Sequence, residues 1–231
     1  MAMNIGQKII DAIEQRRDKK RKSQPGAIGE FWRSGGNDLL YSNLPVTTGS
    51  LIIDAGAYKG EWSSGMIAQY GCRAILFEPV PEFFRLLKTH FKNNSLVEVY
   101  NAAIGGKDRQ SLFSLLDNAT SEYRSTEPTE SFTADVFDIA KIFEKQVDDI
   151  QVSCVKLNIE GGEYEVLERM IEANLLIRCD SLLIQFHRQP EGYERRHSYI
   201  INELKKTHVQ KWGYNFMWDL WVRNSQSFYL A

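Results

Sequence analysis

The spacing of apolar positions changes several times along the chain, and each change marks a different kind of element. From residue 50 onward, short apolar runs alternate with stretches whose apolar residues recur every three or four positions. The runs predict strands at Leu51–Asp54, Ala74–Glu78, Val97–Tyr100, Val152–Ile159 and Ser181–Phe186. Between them, "EFFRLLKTHF" places Phe83, Leu87 and Phe91 on one helical face, and "EYEVLERMIEANLL" does the same with Tyr164, Leu167 and Ile171. Near-continuous apolar strands separated by amphipathic helices predict an α/β, Rossmann-like fold, a mostly parallel sheet with helices on both faces. The end of the chain differs. "VQKWGYNFMWDLWVRNSQSFYLA" alternates Trp212, Tyr214, Phe216 and Trp218 on one face before a second apolar run, which predicts a C-terminal antiparallel hairpin with buried aromatics.

Outside this pattern, residues 4 to 22 read as a helix with Ile9, Ile10 and Ile13 on one side and the basic finish "RRDKKRK". The Gly/Pro-punctuated "SQPGAIGEFWRSGGNDLLYSNLP" reads as a connection. The expected organisation is therefore an N-terminal helical extension and linker over 1–36, followed by one domain over 37–231. Residues 106 to 135 hold two weak strands around the polar loop "DNATSEYRSTEPTE", Asp117–Glu130, whose length suits a lid over a site.

Composition narrows the field. A net charge of −2 gives no reason to expect nucleic acid as the main partner, and the basic run reads as a solvated helix end. No apolar run approaches the roughly 20 residues of a membrane span, and the start lacks the apolar core of a secretion signal. Cys72, Cys154 and Cys179 have neither disulfide-framework nor zinc-site spacing, so no metal site and a reducing, cytoplasmic setting are expected.

In an open parallel sheet, ligands bind outside the carboxyl ends of the strands, where the strand order reverses. The residues there are Asp54 with the turn Gly56–Gly60, Glu78, Asn101–Ala103, Asn158 with Glu160, and His187. Glu78 lies about 20 residues past the glycine turn, where an acid accepts hydrogen bonds from ribose hydroxyls. Its two oxygens suit two adjacent donors. Yet in "DAGAYKG" Tyr58 occupies the second glycine position of G-x-G-x-x-G, so the turn is wrong for a pyrophosphate. An acid at the strand end suits an amino-acid tail with a positive charge, and a nucleoside carrying such a tail is S-adenosylmethionine. Asp54 would then face the ligand's ammonium, directly or through water, with Gly56 and Gly60 letting the chain pass close by.

Five segments, "IIDAGAYKGEWS", "LFEPVPEFFRLL", "NAAIG", "VFDIAKIF" and "VKLNIEGGEYEVL", occur in an order and spacing that resembles the FkbM-type S-adenosylmethionine-dependent methyltransferases. The resemblance covers about Asn37 to His187 and, more weakly, runs on to the C-terminus. It implies the class I methyltransferase fold and methyl transfer to an oxygen, often a hydroxyl of a sugar, polysaccharide or natural product, so a small-molecule or glycan acceptor is expected. It also implies that Asp54, Gly56, Tyr58 and Gly60 form the first cofactor loop, that Glu78 is the ribose acid, and that Pro79, Asn101 and Ala102 border the adenine. One position departs from the pattern. The family's fourth strand usually reads K-x-D-x-E-G, and here the acid is Asn158, which keeps the shape but loses the charge.

Methyl transfer to a hydroxyl benefits from a base, for which His187 and then Glu160 are the candidates. Other readings stand beside these. Glu160 is equally placed as a favourable charge near a helix N-terminus, His187 as a structural histidine, and Lys156 as the partner of a buried acid. At the level of function, the alternatives are a nucleotide-dependent oxidoreductase on a similar sheet, which Tyr58 disfavours, a nucleic-acid methyltransferase, and a non-catalytic S-adenosylmethionine-binding module.

Overall fold

The computed structural model describes residues 15–16, 18–116, 119–121 and 130–224. Two short helices, α1 (Gly26–Arg33) and α2 (Gly36–Leu39), precede β1 (Leu51–Ala55), α3 (Glu61–Tyr70), β2 (Arg73–Phe77), α4 (Pro81–His90) and β3 (Val97–Tyr100). Then come β4 (Ala103–Gly105), β5 (Arg109–Leu116), β6 (Ala119–Ser121), β7 (Glu130–Asp138) and α5 (Ile139–Ile142). The remainder is β8 (Val152–Leu157), α6 (Glu163–Glu172), β9 (Ser181–Ile184), α7 (Tyr193–Thr207), β10 (His208–Gly213) and β11 (Asp219–Arg223). Seven strands form the central sheet in the order β10-β11-β9-β8-β1-β2-β3. Strands β3, β2, β1, β8 and β9 run parallel, and β10–β11 is an antiparallel hairpin whose β11 pairs antiparallel with β9.

Alternation along β1 explains both layers. Leu51, Ile53 and Ala55 point to one face, where Ile139 of α5, Leu167 of α6 and Leu204 of α7 are buried. Ile52 points to the other face and packs with Phe31 of α1, Met66 of α3 and Leu87 of α4. Every residue of β1 is buried, as a strand covered on both sides requires. The chain leaves β1 toward β2 and β3 on one side and resumes at β8 on the other, so the order reverses between β1 and β8. In open parallel sheets, ligands bind in the crevice at the carboxyl ends of the strands where the order reverses, which here is between β1 and β8.

Several expectations change in detail. The strands stop at Phe77, Leu157 and Ile184, one or two residues short of the expected ends. The candidate side chains beyond them stand on the connections. The stretch expected to be a connection folds into α1 and α2, and Phe31 is fully buried against Trp212 and Tyr214. The weak strands of 106–135 form their own sheet, β4-β7-β5-β6, with a small core at Phe113, Ala134 and Val136. The C-terminal hairpin forms, but its aromatics do not share one face. Trp212 lies on β10, Tyr214 and Phe216 lie in the turn, Phe216 packs into the α5–α7 layer, and Trp218 is buried in the opposite one. The expected lid lies outside the described residues except for Ala119–Ser121 and Glu130, and most of the expected N-terminal helix lies outside them as well. No helix among the described residues is long and apolar enough to cross a membrane.

Candidate functional site

Register places Asp54 of β1 directly opposite Lys156 of β8. The Lys156 Nζ lies 2.6 Å from Asp54 Oδ1 and donates to the Gly56 carbonyl at 3.1 Å. Ser63, on α3, donates to the other Asp54 oxygen. Asp54 is fully buried and Lys156 nearly so. Removing one partner of such a pair leaves an uncompensated charge, so the pair ties the turn after β1 to β8. Lys156 thus pairs with a buried acid, and Asp54 anchors the turn rather than standing open at its surface.

That turn has a demanding backbone. Gly56 sits at φ +76°, and a Cβ there would lie 2.1 Å from the Asn158 carbonyl oxygen. This glycine lets the turn pass against the end of β8. Gly60, at φ +78°, caps the start of α3 and packs on Leu87 and Phe91 of α4 and the residue after it. Tyr58 also adopts a left-handed conformation, φ +53°. Its ring meets Phe83 edge-on at 4.4 Å, and its amide points at Glu78.

Glu78 follows β2 and is 4% exposed. Its carboxylate accepts from the Tyr58 amide at 2.7 Å and the Val80 amide at 2.9 Å, one on each oxygen. Burial raises its pKa from 4.5 to about 7, against the lowering effect of those amides and of Lys156. Each oxygen keeps a lone pair, which suits two neighbouring hydroxyl donors. The Asn101 amide donates at 3.0 Å to the carbonyls of Glu78 and Pro79, tying the β3–β4 link to the end of β2. Ala102, next along, is fully buried.

At the end of β8, the Asn158 Oδ1 atom is buried with no hydrogen-bond partner. Burying a polar atom this way is costly, so it marks a place where a donor is wanted. Glu160 follows in a left-handed conformation, φ +52°. Beyond β9, the His187 ring lies between two acids, with Nδ1 3.2 Å from Glu163 Oε1 and Nε2 3.5 Å from Glu160 Oε1. Burial alone would lower the pKa of His187, but the two carboxylates outweigh it and carry the pKa to about 9. Two carboxylates against the ring thus favour its doubly protonated form. Glu163, which the sequence reading passed over, is fully buried in the first turn of α6. Its signal in the sequence was the second acid of "EGGE", three residues after Glu160.

A seven-stranded, mostly parallel sheet of this order, ending in an antiparallel hairpin, is the class I methyltransferase fold. The methyltransferase FkbM domain model matches residues 54–216, more than half of the chain, and the chain belongs to that family, with S-adenosylmethionine as cofactor. Solved structures with a related fold include an rRNA methylase from Streptococcus thermophilus, 9% identical, with 82% of this chain and 94% of that one covered and a TM-score of 0.46. Precorrin-6y C5,15-methyltransferase from Geobacter metallireducens GS-15 is 11% identical, with 81% and 87% covered and a TM-score of 0.43. M. capricolum TrmK, solved with S-adenosyl-homocysteine, is 8% identical, with 81% and 67% covered and a TM-score of 0.45. At such identities these likenesses concern the fold alone. No curated protein sequence matches the chain.

The ribose end of the cofactor fits the residues present, because Glu78 offers two carboxylate oxygens that each hold only one backbone donor. The buried Asn158 Oδ1, without a hydrogen-bond partner, is a further acceptor at the end of β8.

Proposed function

We propose that this protein methylates a hydroxyl of a sugar, polysaccharide or other natural product. In this reading Glu78 holds the ribose, and the Gly56–Gly60 turn with Tyr58 lies along the amino-acid tail. Asp54 and Lys156 brace that turn, Asn158 offers its free oxygen to a ligand donor, and Pro79, Asn101 and Ala102 flank the adenine. Bound there, the cofactor supplies a methyl group on a positively charged sulfur. The chain's own part is to hold the acceptor in line, exclude water and manage the hydroxyl proton. Glu160 and His187 are the acceptor-side pair for that proton, one receiving it and the other orienting the oxygen.

The observation that carries this reading is the grouping of Glu160 and His187, from the ends of two adjacent strands, beside the Asn158 crevice. Asn158 in place of the family's usual acid favours a proton-handling route over one that needs an anionic metal ligand at that position. The test uses S-adenosylmethionine with a radiolabelled methyl group, incubated with the protein and separately with a panel of mono- and oligosaccharides, polyhydroxylated natural products and total RNA. Label transferred to a hydroxyl compound supports the reading, and label transferred to RNA alone overturns it.

A further inference from the structure

His187 presents both ring nitrogens to carboxylates. A neutral imidazole has one N–H and one lone pair, so it can satisfy only one of two such acceptors, whereas the doubly protonated ring satisfies both. Glu163 is the buried member of this pair, and it does more than touch the ring. Its Oε1 also accepts from the His187 backbone N–H at 2.6 Å, and its Oε2 accepts from the Gly161 N–H at 2.8 Å. One carboxylate therefore joins the turn after β8, the start of α6 and the end of β9.

We propose that Glu163 is a positioning residue for methyl transfer, holding His187 as a cationic hydrogen-bond donor beside Glu160 and so leaving Glu160 to receive the proton of the acceptor hydroxyl. The proposal rests on the functional reading above. The surrounding groups support it. Tyr164, also on α6, donates its hydroxyl to the His187 carbonyl at 2.6 Å, which fixes the backbone below the ring. Gln189 donates to the Glu160 carbonyl at 2.6 Å and so ties the turn after β8 to the segment after β9. Arg188 leans on the Phe216 ring at 5.3 Å, and Arg196 is paired with Glu168 over the Tyr164 ring. Both are cations and oppose a proton on His187, while the two carboxylates touch the ring itself. Glu160, in contrast, keeps a side chain that is 20% exposed and hangs from a strained backbone. Strain of this kind gathers at functional sites.

The experiment follows the His187 ring by nitrogen-15 NMR from pH 5 to 10, first in the wild-type protein without ligand. Both ring nitrogens are expected to stay protonated through neutral pH and to titrate near 9. A neutral ring at pH 7 would overturn the proposal without recourse to any variant. Glu163→Gln removes the charge and keeps an oxygen for only one of the two backbone donors, which sit on different carboxylate oxygens, so a lower melting temperature accompanies it; it should also lower the His187 midpoint by about 1–2 pH units. A purely structural role predicts a lower melting temperature with an unshifted midpoint, and that result also overturns the proposal. Glu160→Gln tests the second carboxylate and should lower the midpoint as well, so an unchanged midpoint there removes Glu160 from the pair. Calorimetry of S-adenosylmethionine on the wild-type protein separates the two levels. No binding defeats the functional reading and the proposal together, whereas binding with an ordinary His187 titration defeats the proposal alone.

Discussion

If Glu78 holds the ribose as proposed, cofactor binding should depend on pH, and the size of the effect follows from its surroundings. Moving a carboxyl from 4.5 to about 7 corresponds to about 3 kcal/mol of penalty on the charged form. Without ligand, this raised group contributes stability below pH 4.5 that is lost as pH rises through 7. A ribose bound through both hydroxyls favours the carboxylate and offsets the penalty. At pH 6 about one Glu78 in ten is ionised, so affinity for S-adenosylmethionine should be about tenfold weaker there than at pH 8. At pH 7, binding should release about half a proton. Calorimetry in buffers of different ionisation enthalpy reads both quantities. The α-amino group of the ligand titrates near pH 8 and adds its own slope, so the diagnostic is the difference between wild type and Glu78→Gln. The variant should bind about 1–3 kcal/mol more weakly at pH 8, the scale of losing hydrogen bonds to a charged acceptor, and should lose the Glu78 share of the pH dependence. An identical slope in the two proteins would refute the reasoning, because the ionising group would then lie elsewhere.

Three further outcomes are expected. Lys156→Met, by leaving Asp54 charged and unpaired, should cost about 3–5 kcal/mol in urea denaturation, and adding Asp54→Asn should recover part of the loss; simple additivity would speak against the pair. Gly56→Ala should cost about 2 kcal/mol or more, since its Cβ meets the Asn158 carbonyl, whereas Gly49→Ala, also left-handed but with open space around it, should cost less; equal losses would show that the close approach does not matter. His208 is buried with its pKa lowered from 6.5 to about 4 by burial, so stability should be full above pH 6.5 and fall by about 2 kcal/mol at pH 5, and a His208→Gln protein that keeps the same slope would assign the effect elsewhere.

The alternation of elements was legible because a strand covered on both faces must be almost wholly apolar. Val97–Tyr100 forms the expected strand residue for residue, and β1, β2, β8 and β9 lie where their apolar runs lie. The chemistry at strand ends was legible for the same reason. A polar residue that interrupts such a run marks the carboxyl edge, as Glu78 and Asn158 do. The small sheet was less visible, since a strand such as β7 reads as polar until its pairing with β4 and β5 buries Ala134 and Val136. The aromatic alternation near the C-terminus misled because period two does not reveal where a strand gives way to a turn, and Phe216 turns back with φ +49° into the opposite layer.

What the sequence determined by itself was therefore the class of fold, the order of its elements and which polar residues follow the strand ends. Tertiary structure decided what those residues face. Asp54 and Lys156 are 102 positions apart, and only the parallel register of β1 with β8 sets them opposite each other and turns an expected ligand contact into a buried brace. His187 reads as a neutral base when seen alone. Only the approach of α6 to the end of β9 brings Glu163 onto its ring, opposite Glu160, so that two carboxylates face one imidazole.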